Sequence, residues 1–126
     1  NVEGKDVLII DDMISSGESM IDTARELKKR KANRIFVVST FGLFTNGFAS
    51  FDKAYEEGLI YRVVTTNLIY QSHELLSKEY YISCDMSKYI AYIIDTLNHD
   101  SSISDLLNPY DRIKNYVKKY NDEKNA

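Results

Sequence analysis

Four apolar residues, Val7 to Ile10, run directly into two carboxylates, Asp11 and Asp12, and then into Ser15-Ser-Gly-Glu-Ser19. Met20, Ile21, Ala24 and Leu27 follow at helical spacing. Few architectures accommodate this order. A short continuous apolar run suits a strand buried on both faces, as in a parallel sheet. A strand leading into an amphipathic helix opens a β–α unit. In open α/β sheets, ligands collect at the carboxyl ends of the strands. Backbone N–H groups at a helix N-terminus suit a phosphate. Two carboxylates beside such a cradle suit hydroxyls of the same ligand, or a Mg²⁺ bridging to it. The implied ligand is a sugar phosphate or a phosphorylated nucleotide. Asp, Ser and Gly also cap helices and make turns without any ligand, but a doublet followed by Ser-Ser-Gly-x-Ser is more specific than a single Asp.

The rest of the chain repeats the alternation. Basic residues close the first helix near Ala32. Ile35 to Ser39 reads as a second buried strand, and Phe41 to Ser50 as a loop. Phe51 to Glu57 reads as a short helix stopped by Gly58. Tyr61 to Thr66 makes a third strand, Leu68 to Lys78 a loop with one helical turn, and Tyr80 to Cys84 a fourth strand. A helix is expected from Met86 to about His99, with Ile90, Ile93, Ile94 and Leu97 on one face. Asn108, Pro109 and Asp111 open a last helix with an apolar stripe of Tyr110, Ile113, Val117 and Tyr120; that stripe is expected to pack on the parent domain. The fold class is α/β, a mainly parallel sheet with helices on both faces, incomplete as a fragment because a core-type strand begins so near Asn1. The expected division is 1–107 for the α/β part and 108–126 for a helical extension.

Composition excludes several classes. A net charge of −3 offers no basic footprint for nucleic acid, and the apolar runs are too short to cross a membrane. Cys84 is the only cysteine, so neither a disulfide framework nor a cysteine zinc site is expected. A reducing cytoplasm fits that usage. His73 and His99 lack ligand spacing and read as surface or helix-end residues.

The stretch Val7 to Met20 resembles the ribose-phosphate loop of the type I phosphoribosyltransferase fold. Further segments, in order, resemble the ribose-phosphate diphosphokinase family and its C-terminal part. Ser39-Thr-Phe-Gly-Leu-Phe44 is similar to that family's Thr-His-Gly-Leu-Phe, Val63-Val-Thr-Thr-Asn-Leu-Ile69 to its Val-Thr-Asn-Thr-Ile, and Ser102-Ile-Ser-Asp-Leu106 to its closing Ser-Val-Ser-Leu. The resemblance implies pyrophosphoryl transfer from MgATP to ribose 5-phosphate, giving phosphoribosyl pyrophosphate and AMP. It implies that Asp11 reaches the ribose hydroxyls, assisted by Mg²⁺, with Asp12 beside it. Ser15, Ser16, Gly17, Glu18 and Ser19 would wrap the 5-phosphate.

Three positions depart from the family pattern: Ser15 stands where Asp is frequent, Glu18 where Gly is usual, and Phe41 where His is usual. The family's pyrophosphate loop, basic flexible loop and adenine pocket have no counterpart here, so no catalytic residue is assigned. The ATP pocket is expected mostly outside the chain, the parent is expected to be a homo-oligomer, and the chain alone is expected to be inactive. Two neighbouring readings share the loop: a phosphoribosyltransferase that uses phosphoribosyl pyrophosphate, and a non-catalytic synthetase paralogue. A signalling receiver domain also opens with an acidic doublet, but it needs an Asp where the second strand here ends in Ser39-Thr40.

Overall fold

A computed structural model describes residues 1–125, apart from the side chain of Asp105. The chain forms two units, Asn1–Met86 and Ser87 onward. The first contains β1 (Val7–Ile14), α1 (Glu18–Lys29), β2 (Ile35–Gly42), α2 (Ala49–Glu56), β3 (Arg62–Thr66), α3 (His73–Ser77) and β4 (Tyr81–Cys84). All strand pairs are parallel, and their spatial order is the order of the chain, β1-β2-β3-β4.

That order has a geometric consequence. Right-handed crossovers between successive parallel neighbours place every connecting helix on the same face. Burial agrees. Ile35, Val37, Val63 and Tyr81 from the strands join Met20, Ile21, Ala24, Phe51, Ala54 and Leu75 from the helices in one core. The alternate strand positions form an open face, on which Leu8 is 54% exposed, Ile10 71% and Ile82 46%. Helices were expected on both faces; within this unit α1, α2 and α3 share one core on one face.

The strands are stapled at the edge opposite their carboxyl ends. Arg34, just before β2, grips the Asp6 carboxylate through Nε (3.1 Å to Oδ2) and Nη2 (2.5 Å), while Asn33 Nδ2 donates to the same carboxylate at 2.8 Å. The Arg34 hydrogen bonds hold Asp6 below the usual carboxylate range. On the far side, Asp52 of α2 accepts from Lys78 Nζ (2.8 Å) and from the buried Tyr80 hydroxyl (2.9 Å), joining α2 to the segment that enters β4.

The second unit contains α4 (Ser87–Asn98), α5 (Ser104–Leu107) and α6 (Tyr110–Asn125). The expected cap of the last helix is present, Asn108 Oδ1 accepting from the Tyr110 N–H at 3.1 Å. Its apolar stripe is exposed, Tyr110 by 66% and Tyr120 by 63%. The short α5 lacks apolar periodicity in the sequence and was not anticipated.

Candidate phosphate-binding loop

The expected strand end at Ile10 is corrected by the structure: β1 continues through the carboxylate doublet to Ile14. Parallel pairing explains the extension, since Asp11 pairs with Ser39, Met13 with Phe41 and Ile14 with Gly42. Both strands also change phase there. The inward series Ile35, Val37, Ser39 is followed by buried Gly42, and on β1 the next buried residue after half-buried Ile9 is Ile14. A strict alternation of two would not bring those residues to one face. The change leaves Asp11, Asp12 and Met13 exposed at the carboxyl edge. The Asp11 carboxylate is oriented locally, accepting from the Asp12 N–H at 2.8 Å.

Ser15 and Ser16 form the turn, and Gly17 is the N-cap of α1. Gly17 is buried with φ +81, and a Cβ there would lie 2.2 Å from the ring of Phe51. The left-handed conformation and the approach of a buried ring both require glycine. No side chain caps this helix end. The Glu18 N–H reaches Ser16 Oγ only at 3.5 Å. The first-turn N–H groups of an α-helix lack intrahelical partners and carry the positive end of its dipole. Ser19 is exposed in that turn, with Glu18 beside it. Glu18 borders a groove between α1 and α2, shared with Asp22, Arg25, Ser50 and Lys53.

The expected residues Asp11, Asp12, Ser15, Ser16, Gly17, Glu18 and Ser19 thus lie along one strand–turn–helix segment. Among the described residues, no three Asp, Glu, His or Cys side chains converge as a metal site. Asp11 and Asp12 offer two carboxylates, which suits Mg²⁺ held jointly with a ligand rather than by a protein cage.

Two participants were not legible in the sequence. Phe51 buttresses Gly17 from α2, and Thr45, from the loop between β2 and α2, places Oγ1 3.4 Å from Ser15 Oγ. Only the turn chemistry of Asn46-Gly47 hinted that this loop folds back. Cys84, at the end of β4, is exposed. It borders a cavity of about 180 Å³ on the open sheet face, together with Ile10, Asp11, Val38 and Thr66.

The sequence model of the phosphoribosyl synthetase-associated domain matches residues 1–108. A ribose-phosphate pyrophosphokinase of Vibrio parahaemolyticus is 31% identical over 108 residues, covering 86% of this chain and 33% of that protein. The Mycoplasma pneumoniae protein of the same name is 32% identical over 121 residues, covering 94% of this chain and 35% of its own length. The chain therefore spans about a third of the length of the curated relatives it matches. The crystal structure of phosphoribosylpyrophosphate synthetase from Mycobacterium smegmatis superposes with a TM-score of 0.68 at 19% identity, over 79% of this chain and 32% of that one. At that identity the likeness concerns the fold alone. Matched over most of its length, the chain belongs to the phosphoribosyl synthetase-associated domain family.

Proposed function

We propose that the chain is the C-terminal part of a ribose-phosphate diphosphokinase and supplies the ribose 5-phosphate half of its site. The observation that carries this reading is the buried, left-handed Gly17 beneath an α1 N-terminus that no side chain caps. A tetrahedral anion there accepts from the first-turn N–H groups, displacing the long Glu18 N–H contact with Ser16 Oγ, and from the Ser15, Ser16 and Ser19 hydroxyls. Asp11 accepts from the ribose hydroxyls, and Asp12 lies beside it. Mg²⁺, shared between these carboxylates and the ligand, supplies charge neutralisation when bound. Glu18 is compatible with this site because its N–H lies in the helix's first turn while its side chain borders the α1–α2 groove.

Phosphoryl-type transfer depends on positioning and charge neutralisation by several groups at once. A chain spanning about a third of its relatives is proposed to leave ATP binding and most of that machinery to the remainder of the protein. By itself it then forms no AMP from ATP and ribose 5-phosphate. The parent is proposed to be a homo-oligomer, and the single cysteine supports a cytoplasmic setting.

Calorimetry tests the half-site. The folded chain is expected to bind ribose 5-phosphate more tightly with Mg²⁺ than without. Asp11→Ala, at an exposed position, should weaken binding by roughly tenfold to a hundredfold, the usual range for hydrogen bonds to a charged group. Absence of binding by the folded chain, or an Asp11→Ala affinity equal to that of the parent sequence, contradicts the reading.

A further inference from the structure

The loop between β2 and α2 is fastened to the end of β1 and to the serine turn. The N–H groups of Leu43 and Phe44 both donate to Ile14 O, at 2.8 and 3.3 Å, and the Thr45 N–H donates to Ser15 O at 3.0 Å. Phe44 takes φ +48, an uncommon conformation for a side chain of its size. Its ring sits in the core, with centroid distances of 5.2 Å to Phe51 and 6.3 Å to Tyr81. Gly42 permits that placement, since a Cβ there would lie 2.6 Å from the Phe44 ring and 2.9 Å from Thr65 Cγ2. Phe51, packed against Phe44, is also the ring beneath Gly17. Both loops are therefore set by the same aromatic pair.

The outcome is a pair of exposed hydroxyls from distant parts of the chain. Ser15 Oγ and Thr45 Oγ1 stand 3.4 Å apart, at the long end of hydrogen bonding. Among the described residues, each is the other's only side-chain partner. Neither hydroxyl is committed to a strong bond, and each has a proton to offer. An anionic oxygen accepting from both would replace one weak neutral contact with two charge-assisted ones.

We propose that Thr45 is a further phosphate-binding residue, its hydroxyl donating together with that of Ser15 to an oxygen of the ligand's phosphate; this rests on the phosphate reading of the loop given above. The test is calorimetry with ribose 5-phosphate and, separately, inorganic phosphate, on the parent chain, Thr45→Val and Thr45→Ser. Val preserves shape and the backbone bond to Ser15, so thermal stability should be unchanged. Thr45→Val is expected to weaken both ligands about tenfold, as for one hydrogen bond to a charged group, and Thr45→Ser to restore parental affinity. A parent chain that binds both ligands with Thr45→Val equal to it overturns the Thr45 assignment and leaves the loop reading intact. Weakening of ribose 5-phosphate alone would place the hydroxyl on the sugar and also overturn it. A folded parent chain that binds neither ligand overturns both.

Discussion

At the scale of single residues, the site depends on Gly17. Gly47 provides a natural comparison, because both glycines have positive φ but a Cβ at Gly47 would meet nothing within 4 Å. Alanine at Gly47 should therefore carry only the backbone cost of a left-handed residue, roughly 1–2 kcal/mol. Alanine at Gly17 adds a collision with a ring that is 1% exposed and has little room to retreat. A total of roughly 2–4 kcal/mol is expected there. Denaturant unfolding of the two variants separates the contributions, and equal costs would show that the contact with Phe51 is unimportant. The need for glycine was visible in the sequence, since Ser-Ser-Gly-Glu-Ser between strand and helix implies a tight backbone. The ring that enforces it was not, because Phe51 belongs to another helix and nothing local links the two positions.

At the scale of elements, the parallel strands and their helices were legible because each carries its own periodicity. Ile35 to Ser39 and Tyr61 to Thr66 are apolar or β-branched runs of strand length, and Met20, Ile21 and Ala24 recur at helical spacing. The extension of β1 through Asp11 and Asp12 was not legible, since carboxylates normally end a buried strand and the pairing with Ser39 and Phe41 is long-range. Three-helix cover on a single face follows from strand order, which periodicity does not encode. The tie between α2 and the entry to β4 makes an element-scale prediction. Burial, and then Asp52, push the Tyr80 phenol above its ordinary value of 10. The hydrogen bond from Lys78 to Asp52 likewise raises the lysine above 10.5. A group whose pKa is raised on folding stabilises fully below its unfolded value and loses that contribution as pH rises through the folded value. Stability should thus hold to about pH 10 and fall above it, and Tyr80→Phe should make that fall shallower. An identical alkaline decline in Tyr80→Phe would show that Tyr80 does not contribute to it.

At the scale of the whole chain, polar and apolar surfaces are unevenly distributed. The carboxyl edge of the sheet collects the doublet, the serine turn, the uncapped helix end and Thr45. The open sheet face carries Leu8, Ile10 and Ile82, and the second unit carries the exposed stripes of α4 and α6. An apolar sheet face left in water is unusual for a finished parallel sheet, and it accords with a chain about a third as long as its relatives. The carboxyl edge, in contrast, has its local geometry set by the aromatic core, which fixes Gly17 beside Phe51 and holds the Thr45 loop against Ser15. The most direct test of that division is a residue-resolved amide NMR titration of the folded chain with ribose 5-phosphate. Saturable shifts concentrated at Asp11, Asp12, Ser15 to Ser19 and Thr45 are expected. Shifts centred on the α1–α2 groove or the open sheet face, or none at all, would contradict the assignment of this edge as the sugar-phosphate site.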